Sequence, residues 1–154
     1  MSTKRLQEKF GKSGLKGGLA EEWLYKELNK VYDRVIDLRE DWKAQTDGID
    51  FGIKKESWRY AYYLDSKGNL NNLHFYLEFE KSTKGELGPG WFWKSKSDRI
   101  YHVDVKLNRA IWYSLPEMRR LVQRTNLAVG PMVDGCIRVK ANDPMLKGII
   151  QWMY

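Results

Sequence analysis

The chain is poor in the residues that cross-link or anchor a protein. It has one cysteine, Cys136, and two histidines among 154 residues. A lone cysteine excludes an internal disulfide and a cysteine-based zinc site, and it points to a reducing, cytoplasmic setting. His74 and His102 sit beside aromatics with no third ligand at zinc spacing, so they are expected as core or surface residues. No apolar run approaches the roughly 20 residues that span a bilayer, which argues against a membrane role. The basic opening MSTKRLQEKF has no apolar run behind it and does not read as a signal peptide. The glycine-rich stretches at 11–18 and 85–90 lack the GK[ST] context of a nucleotide-binding loop.

What the chain does have is positive charge and aromatic surface. Lys and Arg number 27 against 20 Asp and Glu, a net charge of +7, alongside seven Trp and nine Tyr. Cations neutralise phosphates and aromatic faces stack on bases, so the composition points to a polyanion such as DNA. The length suits one domain over 1–154, with a basic arm over about 1–18 that carries Lys12 and Lys16 as candidate DNA contacts.

From Leu19 the pattern turns helical, with Leu24, Leu28, Val31 and Val35 forming an apolar stripe. Glu21 falls on that stripe, where a carboxylate needs a partner or a cation unless the first turn is frayed. Glu22 shares another face with Lys26 and Asn29. Beyond the polar connection DWKAQTDG come three strand-like runs, IDFGIKK, WRYAYYLD and HFYLEFE. The loop STKGELGPG leads through WFWKSKS to a fourth run, DRIYHVDV, and a KLNR turn returns the chain along AIWY. Ser114 and Glu117 have a capping-box spacing ahead of a short helix, with Leu121 and Val122 inward and Arg119, Arg120 and Arg124 exposed. CIRVK reads as a strand and DPMLKGIIQWMY as a terminal helix. The expected class is α/β (α+β), a central mixed sheet flanked by helices.

If the first two strands form a hairpin centred between Ser57 and Trp58, Asp50 and Asp65 face each other directly. A second hairpin centred between Asn71 and Asn72 would bring Glu78 opposite Asp65. Lys67 then projects from the same face as Asp65. Facing unit charges about 5 Å apart repel by about 3 kcal/mol at an effective dielectric near 20, so such a cluster needs a cation, a proton or another register. Carboxylates alone suit a hard, oxygen-ligated cation such as Mg²⁺, with Mn²⁺ as a substitute.

The order of GID at 48–50 and DSK at 65–67 on the next strand, after a helix with an inward Glu, resembles the PD-(D/E)XK nuclease superfamily. QTDGIDF and LDSK resemble the two acidic motifs of its small phage-type and Holliday-junction-resolvase-type members. NLHFYLEFE and GWFWKSKSDRIYHV resemble later segments of phage-encoded nucleases of this kind, so the likeness covers roughly residues 19–122. It implies a restriction-endonuclease-like core and a metal-dependent DNA endonuclease in phage or mobile-element recombination, replication or processing, working in the host-cell cytoplasm. Asp50 and Asp65 would ligate Mg²⁺ with a backbone carbonyl and waters, and Glu78 would be an adjunct ligand. Lys67 would orient or deprotonate the attacking water, and Glu21 would complete the acidic cluster. Lys94 and Lys96 would meet phosphates and Trp91 a base, if the segment around them is a DNA-contacting loop and not a surface loop anchored by buried Trp. Many junction-cutting relatives are dimers, which leaves a homodimer open.

Two other placements of the chemistry compete. Asp104-Val105-Lys106 repeats the Asp-x-Lys spacing at the start of the KLNR turn, and Glu78 and Glu80 share a strand face. The competing functional class is a non-catalytic nucleic-acid-binding protein on the same scaffold.

Overall fold

The structure, a computed structural model, describes residues 18–154. The arm with Lys12 and Lys16 lies outside the described residues. Helix α1 covers residues 18–31 and buries Ala20, Leu24 and Leu28 completely. It ends where the Tyr32 amide bonds the Leu28 carbonyl, four residues before the stripe predicted. Val31 is exposed, and Val35 lies on an edge strand, β1 (Arg34–Asp37), which the sequence pattern did not reveal. β-branched Val35 and Ile36 are held there by pairing with the next strand, a tertiary effect that overrides the helical spacing.

The polar connection contains a five-residue helix, α2 (Trp42–Thr46), capped by Asp41, whose carboxylate accepts the Ala44 amide at 2.8 Å. Only Ala44 is buried, so no apolar period marks this helix in the sequence. Strands β2 (Phe51–Lys54) and β3 (Tyr62–Lys67) form the first hairpin. The chain then leaves the sheet through β4 (His74–Glu78), a hairpin of β5 (Glu80–Thr83) and β6 (Glu86–Pro89), and helix α3 (Trp91–Lys94). It re-enters as β7 (Arg99–Asp104), turns into β8 (Arg109–Ser114), and continues as α4 (Leu115–Arg124), β9 (Cys136–Lys140) and β10 (Gln151–Met153).

The main sheet is mixed, ordered β1-β2-β3-β7-β8-β10, with β3 and β7 parallel and every other pair antiparallel. With its flanking helices it is the expected α+β class. Alternation along β7 and β8 splits the core in two. Leu64, Tyr101, Val103 and Ala110 meet α1 on one face. Ile100, Ile111 and Tyr113 meet α4, Phe92 and the β4–β9 pair on the other.

Three expectations are corrected. β4 does not pair with β3: Asn72 and Leu73 take positive φ, and Phe75 and Leu77 are fully buried as a second layer paired with β9. STKGELGPG is no open loop but the β5–β6 hairpin, with Lys84 and Gly85 both at positive φ as a two-residue turn requires. The terminal helix shrinks to a 3-10 turn (Pro144–Leu146), because Gly148 at φ 82° redirects the chain into β10 along β8. No described helix is long and apolar enough to cross a membrane.

Candidate active site

The β2–β3 register sets Phe51 against Leu64 and Gly52 against Tyr63. The ladder ends there; one step further its register would set Asp50 against Asp65, and the Asp50 amide donates to the Leu64 carbonyl at 2.8 Å. Both carboxylates are 5% exposed. Asp50 Oδ2 accepts the Ser66 amide at 2.9 Å, and its Oδ1 faces Gln45 Nε2 at 3.3 Å. Gln45, on the unforeseen α2, also donates to the carbonyls of Leu38 and Ile49. Lys67 Nζ lies 2.9 Å from Asp65 Oδ2 and 4.9 Å from the centre of the Trp91 ring. An Asp-x-Lys on one strand face opposite a second Asp is therefore assembled by two strands alone.

Burial dominates the electrostatics. It pushes the Asp65 carboxyl up to about 8, with Lys67 pulling down and the neighbouring Asp50 pushing further up. Glu21, half-buried on α1, is pushed up to about 7, again foremost by burial and then by the charge of Asp50. Lys67 and Arg39 act on Glu21 in the opposite sense. Glu21 is thus half-buried on the described helix and feels the charge of Asp50, which disfavours the frayed-turn alternative. Its neighbour Glu22 turns aside to Arg39, which also forks onto Asp37.

These shifts have a consequence for stability. Both folded carboxyls hold protons more tightly than the ordinary values of 3.8 and 4.5. Their stabilising contribution is complete below those values and is lost as pH rises through about 7 and 8. The metal-free melting temperature is expected to fall between pH 5 and pH 9, and Asp65→Asn should flatten that fall. Melting curves in EDTA across this range check it; a wild-type slope unchanged in the variant would refute it.

Asp65 and Lys67 open onto a cleft of about 840 Å³. One wall is α2 and its exit loop, with Gln45, Thr46, Asp47 and Gly48. The other is the β5–β6 hairpin with Lys81, Lys84 and Glu86, and Asp65, Lys67, Glu78 and Trp91 also line the space. No family model, curated protein or solved structure matches the chain. Its chemistry is therefore read from these residues.

Glu78 reaches the cleft by another route than the one expected. It comes from the second layer, and its Oε1 accepts the Trp91 amide at 3.1 Å. The expected convergence of three carboxylates is corrected accordingly: among the described residues no three His, Cys, Asp or Glu are grouped to hold a metal ion. Asp50 and Asp65 remain as a pair of oxygen donors, and burial and the Asp50 charge oppose ionisation of Asp65. That donor set fits a hard divalent cation, which would relieve both costs.

The KSKSD segment acts chiefly as a lock. Ser95 and Ser97 are buried and both hydroxyls donate to the Gly48 carbonyl, while the Lys96 amide bonds the Asp47 carbonyl at 2.8 Å. Lys96 Nζ pairs with Asp47 at 3.3 Å, and Asp98 holds both backbone groups of Tyr63. The side chains of Lys94 and Lys96 are exposed. Trp91 is half-buried over Lys67, so it covers the lysine instead of standing free for a base. Arg119, expected exposed, is half-buried and donates to the Phe92 and Ser95 carbonyls.

Gly48 has φ 72°, and a Cβ there would meet Ser95 Oγ at 2.9 Å. Gly48→Ala is expected to cost about 1–3 kcal/mol through the left-handed backbone and overpacking. Because Asp50 follows two residues on, activity should fall with it. Denaturant unfolding in EDTA gives the stability change, and a variant as stable as wild type would show that the lock is not tight.

The rival Asp104 is explained without chemistry. Its Oδ1 accepts the Leu107 amide at 3.2 Å and its Oδ2 lies 3.8 Å from Arg109, a capped turn with Lys106 exposed in solvent. Glu80 is exposed at the base of the hairpin. His74 is half-buried and bonds the Asn72 carbonyl. His102 is fully buried between Asn69 and the Tyr113 hydroxyl, and burial holds it well below its ordinary value.

Proposed function

We propose that the protein is a Mg²⁺-dependent DNA endonuclease of PD-(D/E)XK type, with Mn²⁺ as an alternative cation. The observation that carries this reading is the buried Asp50–Asp65 pair with Lys67 2.9 Å from Asp65, where Asp65 and Lys67 line a cleft of about 840 Å³. The helix–hairpin–parallel-strand arrangement around it agrees with a restriction-endonuclease-like core, in which α1, β2, β3 and β7 are the shared elements.

Asp50 and Asp65 would hold the cation. The metal, when bound, supplies Lewis-acid activation of water and screens phosphate charge. Lys67, fixed between Asp65 and the Trp91 ring, presents its ammonium to the water and to the negative charge that grows on the phosphate oxygens. Glu21, with its carboxyl near neutrality, is matched to taking up a proton at physiological pH. Ser66 and Gln45 keep Asp50 in place by hydrogen bonds to each of its oxygens.

The direct test is nicking of supercoiled plasmid and of a branched junction with Mg²⁺, with EDTA as control. Cleavage that needs the cation supports the reading; binding without cleavage under any divalent ion would favour the non-catalytic nucleic-acid-binding alternative. DNA affinity should also fall steeply with salt, with a log–log slope of about −0.9 for each phosphate contact. The motive is the +7 charge with Lys94 and Lys96 exposed near the cleft. Flat affinity between low and physiological salt would point to a partner that is not a polyanion.

A further inference from the structure

The turn of the β2–β3 hairpin carries an aromatic surface that the cleft does not use. Tyr60 is 70% exposed, Tyr62 42% and Tyr63 38%. Trp58 packs edge-on against Tyr62, with ring centres 5.1 Å apart, and Tyr32 lies 5.6 Å from Trp58. Three cations are threaded among these rings. Arg99 sits 4.7 Å from the Tyr62 ring and 4.1 Å from Trp112, Lys55 is 5.9 Å from Trp58, and Arg59 is 5.5 Å from Tyr60.

Aromatic surface in a globular protein is ordinarily buried or masked, and here neither has happened. Arg99, with rings on its faces and a hydrogen bond to the Tyr32 hydroxyl at 3.2 Å, stiffens the platform from beneath. Among the described residues none of Lys55, Arg59 and Arg99 has a carboxylate within ion-pair distance. The carboxylates nearby are engaged elsewhere or stand apart: Asp33 accepts the Glu56 amide, Asp98 accepts the Tyr63 amide, and Glu56 itself is exposed in the turn. The surface therefore offers rings for stacking and unpaired positive charge together.

Tyr63, beside the platform, stands on the other face of the sheet, the face of Asp65 and Lys67. Tyr63 and Asp65 are two residues apart on β3, so their side chains share one face, about 7 Å apart at the strand rise. Gly52 opposite Tyr63 leaves room for that ring to lie across β2, since a Cβ would meet Tyr63 Cε1 at 3.2 Å. Tyr62, one residue before Tyr63, shares the opposite face with Leu64, so the platform and the cleft lie on different faces of the sheet at β3. Duplex DNA has its base faces hidden by stacking; only an unpaired strand can offer them to tyrosines.

We propose that this platform binds an unpaired DNA strand by base stacking on Tyr60 and Tyr62. This binding does not depend on the endonuclease reading above. The test is equilibrium binding in EDTA of a labelled single-stranded oligonucleotide and of a blunt duplex of the same sequence, followed by fluorescence anisotropy. Tyr60→Ala, at an exposed ring that touches only Arg59 among the contacts above, should leave the melting temperature unchanged. It should lower single-strand affinity about tenfold, as loss of one stacked base does, and Tyr60→Ala with Tyr62→Ala should lower it further. Duplex affinity should hardly change. Equal losses on both substrates, or undiminished single-strand binding by the well-folded Tyr60 variant, would overturn the proposal. Failure of wild type to cleave with Mg²⁺ while this binding pattern holds would overturn the nuclease reading alone.

Discussion

Asp50→Asn and Asp65→Asn are each expected to cut Mg²⁺-dependent cleavage by about 10²–10³-fold or more, the scale seen when a single group that meets transition-state charge is lost. DNA binding should be unchanged or tighter, because a buried carboxylate repels phosphate. The Asp50 variant is the cleaner probe. Its side-chain oxygen can still accept the Ser66 amide, while its new amino group must face Gln45 Nε2, which has two backbone carbonyls to fall back on. The fold should therefore survive, and circular dichroism with plasmid nicking separates the two effects. Asp65→Asn additionally removes the partner of Lys67 and relieves a carboxyl that resists ionisation, so it should melt no lower than wild type at alkaline pH in EDTA. Undiminished turnover in either variant would remove these residues from the mechanism.

The part of this site that could be read in the sequence is the part made by local pairing. Asp50 and Asp65 belong to one hairpin, and period-two alternation together with the position of its turn determines which residues face each other. The same kind of argument on a helix placed Glu21 inward, and it is half-buried on α1. What stayed hidden depends on contacts between distant segments. Gln45 is on a helix too short and polar to announce itself, and the Ser95 and Ser97 hydroxyls matter only because Gly48 lies against them. Arg119 looked like a solvated face residue, yet it caps carbonyls of the Trp91–Ser95 segment. The Asn71–Asn72 turn misled for a related reason. Its composition reports a reversal, but only the burial of Phe75 and Leu77 against the second core determines that β4 leaves the sheet. Glu78 thus enters the cleft from a layer that no hairpin arithmetic could supply.

Lys67→Ala separates a site from a turn. Were Lys67 merely the solvated end of β3, its removal would change stability by no more than about 0.5 kcal/mol and leave cleavage alone. The structure sets a different expectation. Lys67 is only 26% exposed, pairs with Asp65 at 2.9 Å, and lies beside His102 on the parallel strand. Without it, the Asp65 carboxyl loses the one charge that favours its ionised form, so the variant should be less stable at alkaline pH in EDTA than at pH 5. Added Mg²⁺ should restore that loss, because a cation between Asp50 and Asp65 replaces the missing positive charge. Cleavage should not be restored. The group that orients water and meets the developing charge is gone, an effect of about a hundredfold or more on the chemical step. Single-turnover cleavage at saturating Mg²⁺, with melting curves in parallel, reads both quantities. Lys106→Ala is the matched control, an exposed lysine in the other Asp-x-Lys, and it should be normal in both. A slow Lys106 variant beside a normal Lys67 variant would move the chemistry to Asp104, and two normal variants would reduce LDSK to the end of a strand.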